Sequence, residues 1–170
     1  GLRSSLNYTS GGIATLTPTS ALPTIASAVV IDARTQPGWS SAPVVELNGT
    51  SAGSGSNGFT VSATGCTIAG FTINRFNASG IRMLGGSGGH TVVGNWLGLN
   101  SAGSAASANG AEGLSIGVGN GNVIGGLTTG ERNVLSGNGS NGMTITTANN
   151  VIRGNYIGTN ATGTGRVANG

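Results

Sequence analysis

One phrase of this chain is written twice. GNWLGLNSAGSAASANG at 94–110 returns as GNYIGTNATGTGRVANG at 154–170, and Gly94, Asn95, Gly98, Asn100, Gly103, Ala108, Asn109 and Gly110 recur at the same places. The bulky pair Trp96–Leu97 returns as Tyr156–Ile157. A chain that repeats itself at a fixed offset is constrained to architectures in which one unit stacks on the next, because a single unit cannot bury its own apolar face.

A shorter rhythm runs inside the long one. Short apolar stretches, each followed by Gly or Asn, appear as VVIDA at 29–33, PVVEL at 43–47, FTVS at 59–62 and CTIAGFTI at 66–73. They continue as GIRML at 80–84, TVVGNWLG at 91–98, GLSIG at 113–117, NVIGG at 122–126, NVLSGN at 133–138, GMTIT at 142–146 and NVIRGNYIG at 150–158. Apolar residues alternate with small or polar ones, as in half-buried strands. No stripe at helical spacing competes with them. The unit reads as a GxxI strand, an N-x-V/I strand, a G-N corner and a bulky–apolar–Gly strand. Three short strands per turn joined by tight corners describe an all-β solenoid, a parallel β-helix over 1–170 as a single domain.

In such a coil each strand pairs with its equivalent one turn above, so the spacing predicts core columns. Val61, Met83, Ile116 and Ile145 form one, and Ile68, Val92, Ile124 and Ile152 contribute to another. The corners fall at Gly94–Asn95, Gly137–Asn138 and Gly154–Asn155. Glycine suits a left-handed bend. Asparagine at a corner has two readings: it tolerates that bend, or it hydrogen-bonds to the next coil, and Asn95, Asn138 and Asn155 are the candidates for such a ladder. The stretches 99–112 and 159–170 interrupt the rhythm at the same coil position and read as outward loops. Residues 1–25 form a leading segment, with Ile13–Thr17 a possible first strand and Pro18 and Pro23 excluding deep central pairing nearby. Residues 26–170 hold the coils.

Composition narrows the function classes. Glycine is 34 of 170 residues, and charged residues are only 6%, against roughly a quarter in ordinary globular domains. The net charge of +3 rests on seven scattered arginines in a chain poor in aromatics, which argues against a nucleic-acid surface. Cys66 stands alone, so it makes no intrachain disulfide or cysteine metal site, and it reads as a small buried residue. No apolar run is long enough to span a membrane as a helix.

NVIGG, RNVLSGNGSNGMTI and GNYIGTNATGTG resemble the repeats of large secreted or cell-surface bacterial β-helix proteins of the pectate-lyase-like superfamily. LPTIASAVVIDARTQPG followed by PVVELNG resembles their first coils, and GLRSSLNY their short SLR-type leading motif. The resemblance implies a right-handed parallel β-helix in an extracellular or cell-surface bacterial protein. It implies no activity, since this fold hosts lyases, hydrolases, adhesins and inert stalks alike.

Catalytic candidates are few. The acidic residues are Asp32, Glu46, Glu112 and Glu131, too dispersed for a calcium cluster of the lyase type. A hydrolase needs a carboxylate pair, and only Asp32 and Glu46, with Arg34 close by, lie near one another in sequence. The competing reading is an outward ion pair. His90, in GGSGGHTVVG, reads as a solvated loop histidine without metal partners. A threonine array of the ice-binding kind would need an unbroken outward row, but Thr60, Arg82, Ser115 and Thr144 are interrupted by Arg82. Carbohydrate stacking has Trp96 and Tyr156 as its best candidates, with core packing the competing role.

The expectation is therefore a non-catalytic structural β-helix: a stalk, an adhesin segment or a head-to-tail filament subunit. No cofactor is called for. A polysaccharide-binding or polysaccharide-cleaving β-helix is the alternative. Asn169–Gly170 ends a phrase that the first copy continues into Ala111–Glu112 and another strand, and no capping helix is legible. Further coils are expected to stack there, either as repeats of a longer chain or as a second copy of this one.

Overall fold

The computed structural model of the protein describes residues 12–170. The first eleven residues, with the SLR-type motif and Tyr8, lie outside the described part. The fold is a parallel β-helix, with fifteen short strands among the described residues: β1 (Ala14–Leu16), β2 (Val30–Asp32), β3 (Val45–Asn48), β4 (Phe59–Val61), β5 (Thr67–Ala69), β6 (Phe71–Asn74), β7 (Ile81–Met83) and β8 (Thr91–Val93), followed by β9 (Trp96–Leu97), β10 (Leu114–Ile116), β11 (Val123–Ile124), β12 (Val134–Leu135), β13 (Met143–Ile145), β14 (Val151–Ile152) and β15 (Tyr156–Ile157). A single 3-10 turn, Ala33–Thr35, interrupts the first coil.

The strands belong to three parallel sheets. One runs β1-β3-β6-β9-β12-β15, the second β4-β7-β10-β13, and the third β2-β5-β8-β11-β14. The chain visits them in rotation, one strand of each per coil, and residues 12–25 already take part: β1 pairs with β3, and Ile25 bridges to Val61. The stretch 66–73 that reads as one apolar run is two strands in different sheets, β5 and β6, turned at Gly70 (φ +80°).

Register produces the core. Val61, Met83, Ile116 and Ile145 are successive partners, as are Ile68, Val92, Ile124 and Ile152. A third column runs Leu47, Ile73, Leu97, Leu135, Ile157. Interior members are essentially inaccessible, and burying each side chain is worth about 1.5–3 kcal/mol. Burial fails at the last coil, where Ile152 and Ile157 are 48% and 51% exposed.

Loops leave the coil at two corners. The corner after the third-sheet strand carries 33–44 in the first coil and 126–132 in the fourth. The corner after β9 carries 99–112, and the one after β15 carries 159–170. These two loops share one fold. Asn100 Oδ1 accepts the backbone N–H groups of Ser104 and Ala105, and Asn160 Oδ1 those of Thr164 and Gly165. They stack directly, with Ala161 N–H donating to the Gly103 carbonyl at 2.8 Å.

Candidate functional site

The most built feature of the molecule is its set of inner corners. Asparagines immediately ahead of strands point their amides along the coil axis. In the first ladder Asn95 Oδ1 accepts the Phe71 N–H at 3.0 Å, Asn133 Oδ1 accepts the Asn95 N–H at 3.0 Å, and Asn155 Oδ1 accepts the Asn133 N–H at 3.2 Å. Each amide Nδ2 donates back to a carbonyl of the preceding coil: Asn95 to Ile68, Asn133 to Val92 and Asn155 to Ile124. Each side chain therefore satisfies one backbone donor that a tight corner would otherwise orphan, and adds a bond to a carbonyl of the preceding coil; the Val92 and Ile124 carbonyls also accept the Gly125 and Arg153 N–H groups.

Asn138 belongs to a different ladder from Asn95 and Asn155. Asn109 accepts the Phe76 N–H, its Nδ2 donates to Asn138 Oδ1, and Asn138 donates its backbone N–H to Asn169 Oδ1. None of these asparagines is left-handed. The positive φ angles at these corners belong to glycines, +67° at Gly94, +72° at Gly137 and +66° at Gly154. Of the two readings of corner asparagine, bonding to the next coil is the one realised. Gly94–Asn95, Gly137–Asn138 and Gly154–Asn155 divide the labour, glycine bending the chain and asparagine joining the coils.

A third ladder contains His90. Its Nδ1 accepts the Cys66 N–H at 3.1 Å, its own N–H donates to Asn122 Oδ1 at 2.9 Å, and Asn122 N–H donates to Asn150 Oδ1 at 3.0 Å. His90 is wholly buried, which corrects the expectation of a solvated loop residue. The reason is its coil position: it stands where Asn122 and Asn150 stand, and the flanking glycines form the bend that brings it inside. Nε2 is buried without a partner, and burial lowers the imidazole pKa below its ordinary 6.5. Cys66 is buried beside it, its thiol facing the Ser27 carbonyl at 3.7 Å.

The paired aromatics lie on the outer face of the first sheet. Trp96, Val134 and Tyr156 are register partners there, and Trp96 is only 8% exposed. The long loops cover them, since a Cβ at Gly103 would meet the Trp96 ring and one at Gly163 the Tyr156 ring. The Arg132 guanidinium stacks over Tyr156, 4.1 Å from the ring centre, while its Nε donates to the Gly154 carbonyl. Beside this cluster is a groove of about 300 Å³, lined by Ser40, Ser41, Ala42, Thr129, Arg132, Thr162 and one edge of Trp96.

The carboxylates are kept apart. Asp32 caps the 3-10 turn and holds Arg34 in a two-pronged pair, Nε to Oδ1 at 3.0 Å and Nη2 to Oδ2 at 2.8 Å. Arg34 in turn holds the Asp32 carboxyl below its ordinary pKa. Glu46 is buried on the outer side of β3, where Thr15 Oγ1 and Asn74 Nδ2 donate to it and Arg75 lies at 3.6 Å. Asp32 and Glu46 share no partner. Ser79 donates to Glu112 and Thr128 to Glu131. Among the described residues no group of three His, Cys, Asp or Glu is placed to hold a metal ion, and no helix is long and apolar enough to cross a membrane. The row Thr60, Arg82, Ser115, Thr144 is in register, with Arg82 exposed in its middle.

Sequence reasoning missed Asn109, Asn122, Asn133, Asn150 and Asn169 as ladder members. The signal was present: Asn122, Asn133 and Asn150 each stand one place ahead of a strand, and Asn109 and Asn169 stand in the Ala-Asn-Gly that closes both copies of the long repeat. Comparison with protein-family models, with curated proteins and with solved structures finds no match to this chain.

Proposed function

We propose that this chain is a non-catalytic structural β-helix of the bacterial cell surface or extracellular matrix, a rigid rod segment on which further coils stack. The observation that carries the reading is the continuity of three core columns and three polar ladders through the coils. The recurring Asn95, Asn109, Asn155 and Asn169 all bond one coil to the next. The four carboxylates, which a lyase or hydrolase would need in a shared cleft, are each taken up by separate internal partners. The bacterial, surface-exposed setting rests on the family resemblance.

The test is incubation of purified protein with acidic and neutral polysaccharides, followed by product analysis. No chain shortening is expected. Cleavage abolished by Asp32→Asn or Glu46→Gln would replace the structural reading with an enzymatic one.

One observation favours polysaccharide binding as a second reading. The groove beside Trp96 combines an aromatic edge, four hydroxyl-bearing side chains and a guanidinium, the mixture that sugar recognition uses. Titration with oligosaccharides while following tryptophan emission decides it: saturable quenching supports binding, and a flat response removes it.

A further inference from the structure

Two polar residues stand where the backbone or the coil repeat favours glycine, and both line the groove beside Trp96. The first is Ser41, whose φ of +75° lies in the left-handed region. That region strains a serine and leaves a glycine unstrained. The second is Arg132. The register of Trp96, Val134 and Tyr156 sets it level with Gly94 and Gly154, so the coils on either side carry glycine at its place. Neither side chain is asked for by the coil repeat. Backbone strain of the Ser41 kind concentrates at binding sites.

The Arg132 guanidinium is held from two directions, with Nε on the Gly154 carbonyl at 3.0 Å and the charged carbon 4.1 Å from the centre of the Tyr156 ring. Among the described residues its two Nη groups donate to nothing and it forms no ion pair. Glu131, its neighbour in sequence, is turned to Thr128 instead, whose N–H and hydroxyl donate to it. No carboxylate lines the groove, so the charge there is uncompensated. Hydroxyls surround it. Ser41 Oγ and Thr129 Oγ1 lie 3.4 Å apart and share one hydrogen bond, which leaves the second hydroxyl proton for a ligand. Ser40 adds another hydroxyl, and Thr162 one that is already bonded to Asn160.

We propose that this groove binds an anionic saccharide, with the oxyanion seated on the Arg132 fork, the sugar ring against the Trp96 edge, and Ser41 and Thr129 bonding to ring hydroxyls. A guanidinium held in one plane with both Nη groups free grips a carboxylate or a sulfate in two places at once. An aromatic edge and a few convergent hydroxyls are what hold a sugar ring. Glycine at 41 would relax the turn and delete the hydroxyl, which accounts for a strained serine there. This inference rests on the saccharide-binding reading of the groove and names the charge of its ligand.

Cellohexaose, its carboxylated form and its sulfated form share a backbone and differ in the anion. Each is titrated into the full chain while tryptophan emission and heat are followed. The charged forms are expected to bind at least about tenfold more tightly than the neutral one, by a margin that shrinks as salt is raised. Which of the two binds more tightly distinguishes carboxylate from sulfate. Arg132→Lys keeps the charge and loses the fork, and is expected to weaken the charged forms about tenfold and the neutral one far less. Ser41→Gly is expected to weaken binding while raising the urea midpoint, a combination that a serine with only a structural role does not produce. Equal affinity for charged and neutral forms overturns the assigned charge and leaves the saccharide reading standing, whereas no binding by any of the three removes both. Unchanged affinity for the charged forms in either variant overturns the proposed seating. Hexaglutamate binding as tightly as the charged sugars overturns the saccharide in favour of an acidic peptide.

Discussion

Nδ1 of His90 accepts the backbone N–H of Cys66 at 3.1 Å. That bond requires the neutral imidazole with its proton on Nε2. A second proton would go to Nδ1, against the Cys66 donor, and would leave a charge in a fully buried site.

The pH dependence follows in sign. His90 has a folded pKa lowered below 6.5 by burial, so the unfolded chain takes up a proton first as pH falls. Stability is therefore undiminished above about pH 6.5 and declines below it, by at most about 1.4 kcal/mol per pH unit, until the folded pKa is passed. Thermal unfolding should show a lower Tm at pH 5.5 than at pH 7, by at most about 3 °C. His90→Asn, which restores the residue type found at 122 and 150, should remove that slope without loss of stability at pH 7. An unchanged slope in the variant would place the titrating group elsewhere.

Asn133→Ala should be among the most damaging single changes. It leaves the Asn95 N–H buried and unpaired and takes from the Val92 carbonyl one of its two donors, the other being the Gly125 N–H, at a cost of roughly 2–3 kcal/mol. Asn155→Ala, at the open edge where water reaches, should cost no more than about 1–2 kcal/mol. Urea titration of both variants measures the difference, and equal losses would deny the ladder its role.

Gly103, in the long loop 99–112, has φ +67°, and a Cβ there would come within 2.7 Å of the Trp96 ring and 2.6 Å of Ala161. Gly103→Ala should lift the loop from the indole, costing about 1–3 kcal/mol and shifting tryptophan emission to the red. Gly53→Ala, also at positive φ but with open space around it, should cost about 1 kcal/mol and leave the emission unchanged. Denaturation followed by fluorescence reads both effects.

Asp32→Asn removes the charge from the Arg34 pair. Arg34 lowers the Asp32 pKa from 3.8, so the pair contributes stability above about pH 4 and loses it as pH falls through the depressed value. The variant should be about 1 kcal/mol less stable at pH 7, with the gap narrowing as pH falls from 4 toward 2. Urea midpoints across that range check it.

Much of this architecture is written in local patterns. The runs at 59–62, 80–84, 113–117 and 142–146 become β4, β7, β10 and β13, and the columns through Val61 and Ile68 follow from aligning them. Local pattern fails where coil position outranks composition. His90 sits among glycines that signal an exposed loop, yet it opens the HTVV run as Asn122 opens NVI, and that alignment puts it inside. Asn138 shares a Gly-Asn pair with Asn95 and Asn155 but turns a different corner, because the strand that follows it belongs to another sheet. Trp96 and Tyr156 were legible as equivalents, but their burial depends on a loop that folds back over them. The separation of Asp32 from Glu46 is set by the insertion at 33–44, whose path no periodicity announces.

Native-state hydrogen exchange on the unmodified chain tests the central claim most directly, because it compares a closed rung with an open one. The Asn95 amide, donated to Asn133 in the buried interior, should exchange only on global unfolding, roughly a thousandfold or more slower than the Asn155 amide at the uncovered edge. Comparable rates at the two positions would contradict a laddered coil stack with an open final turn.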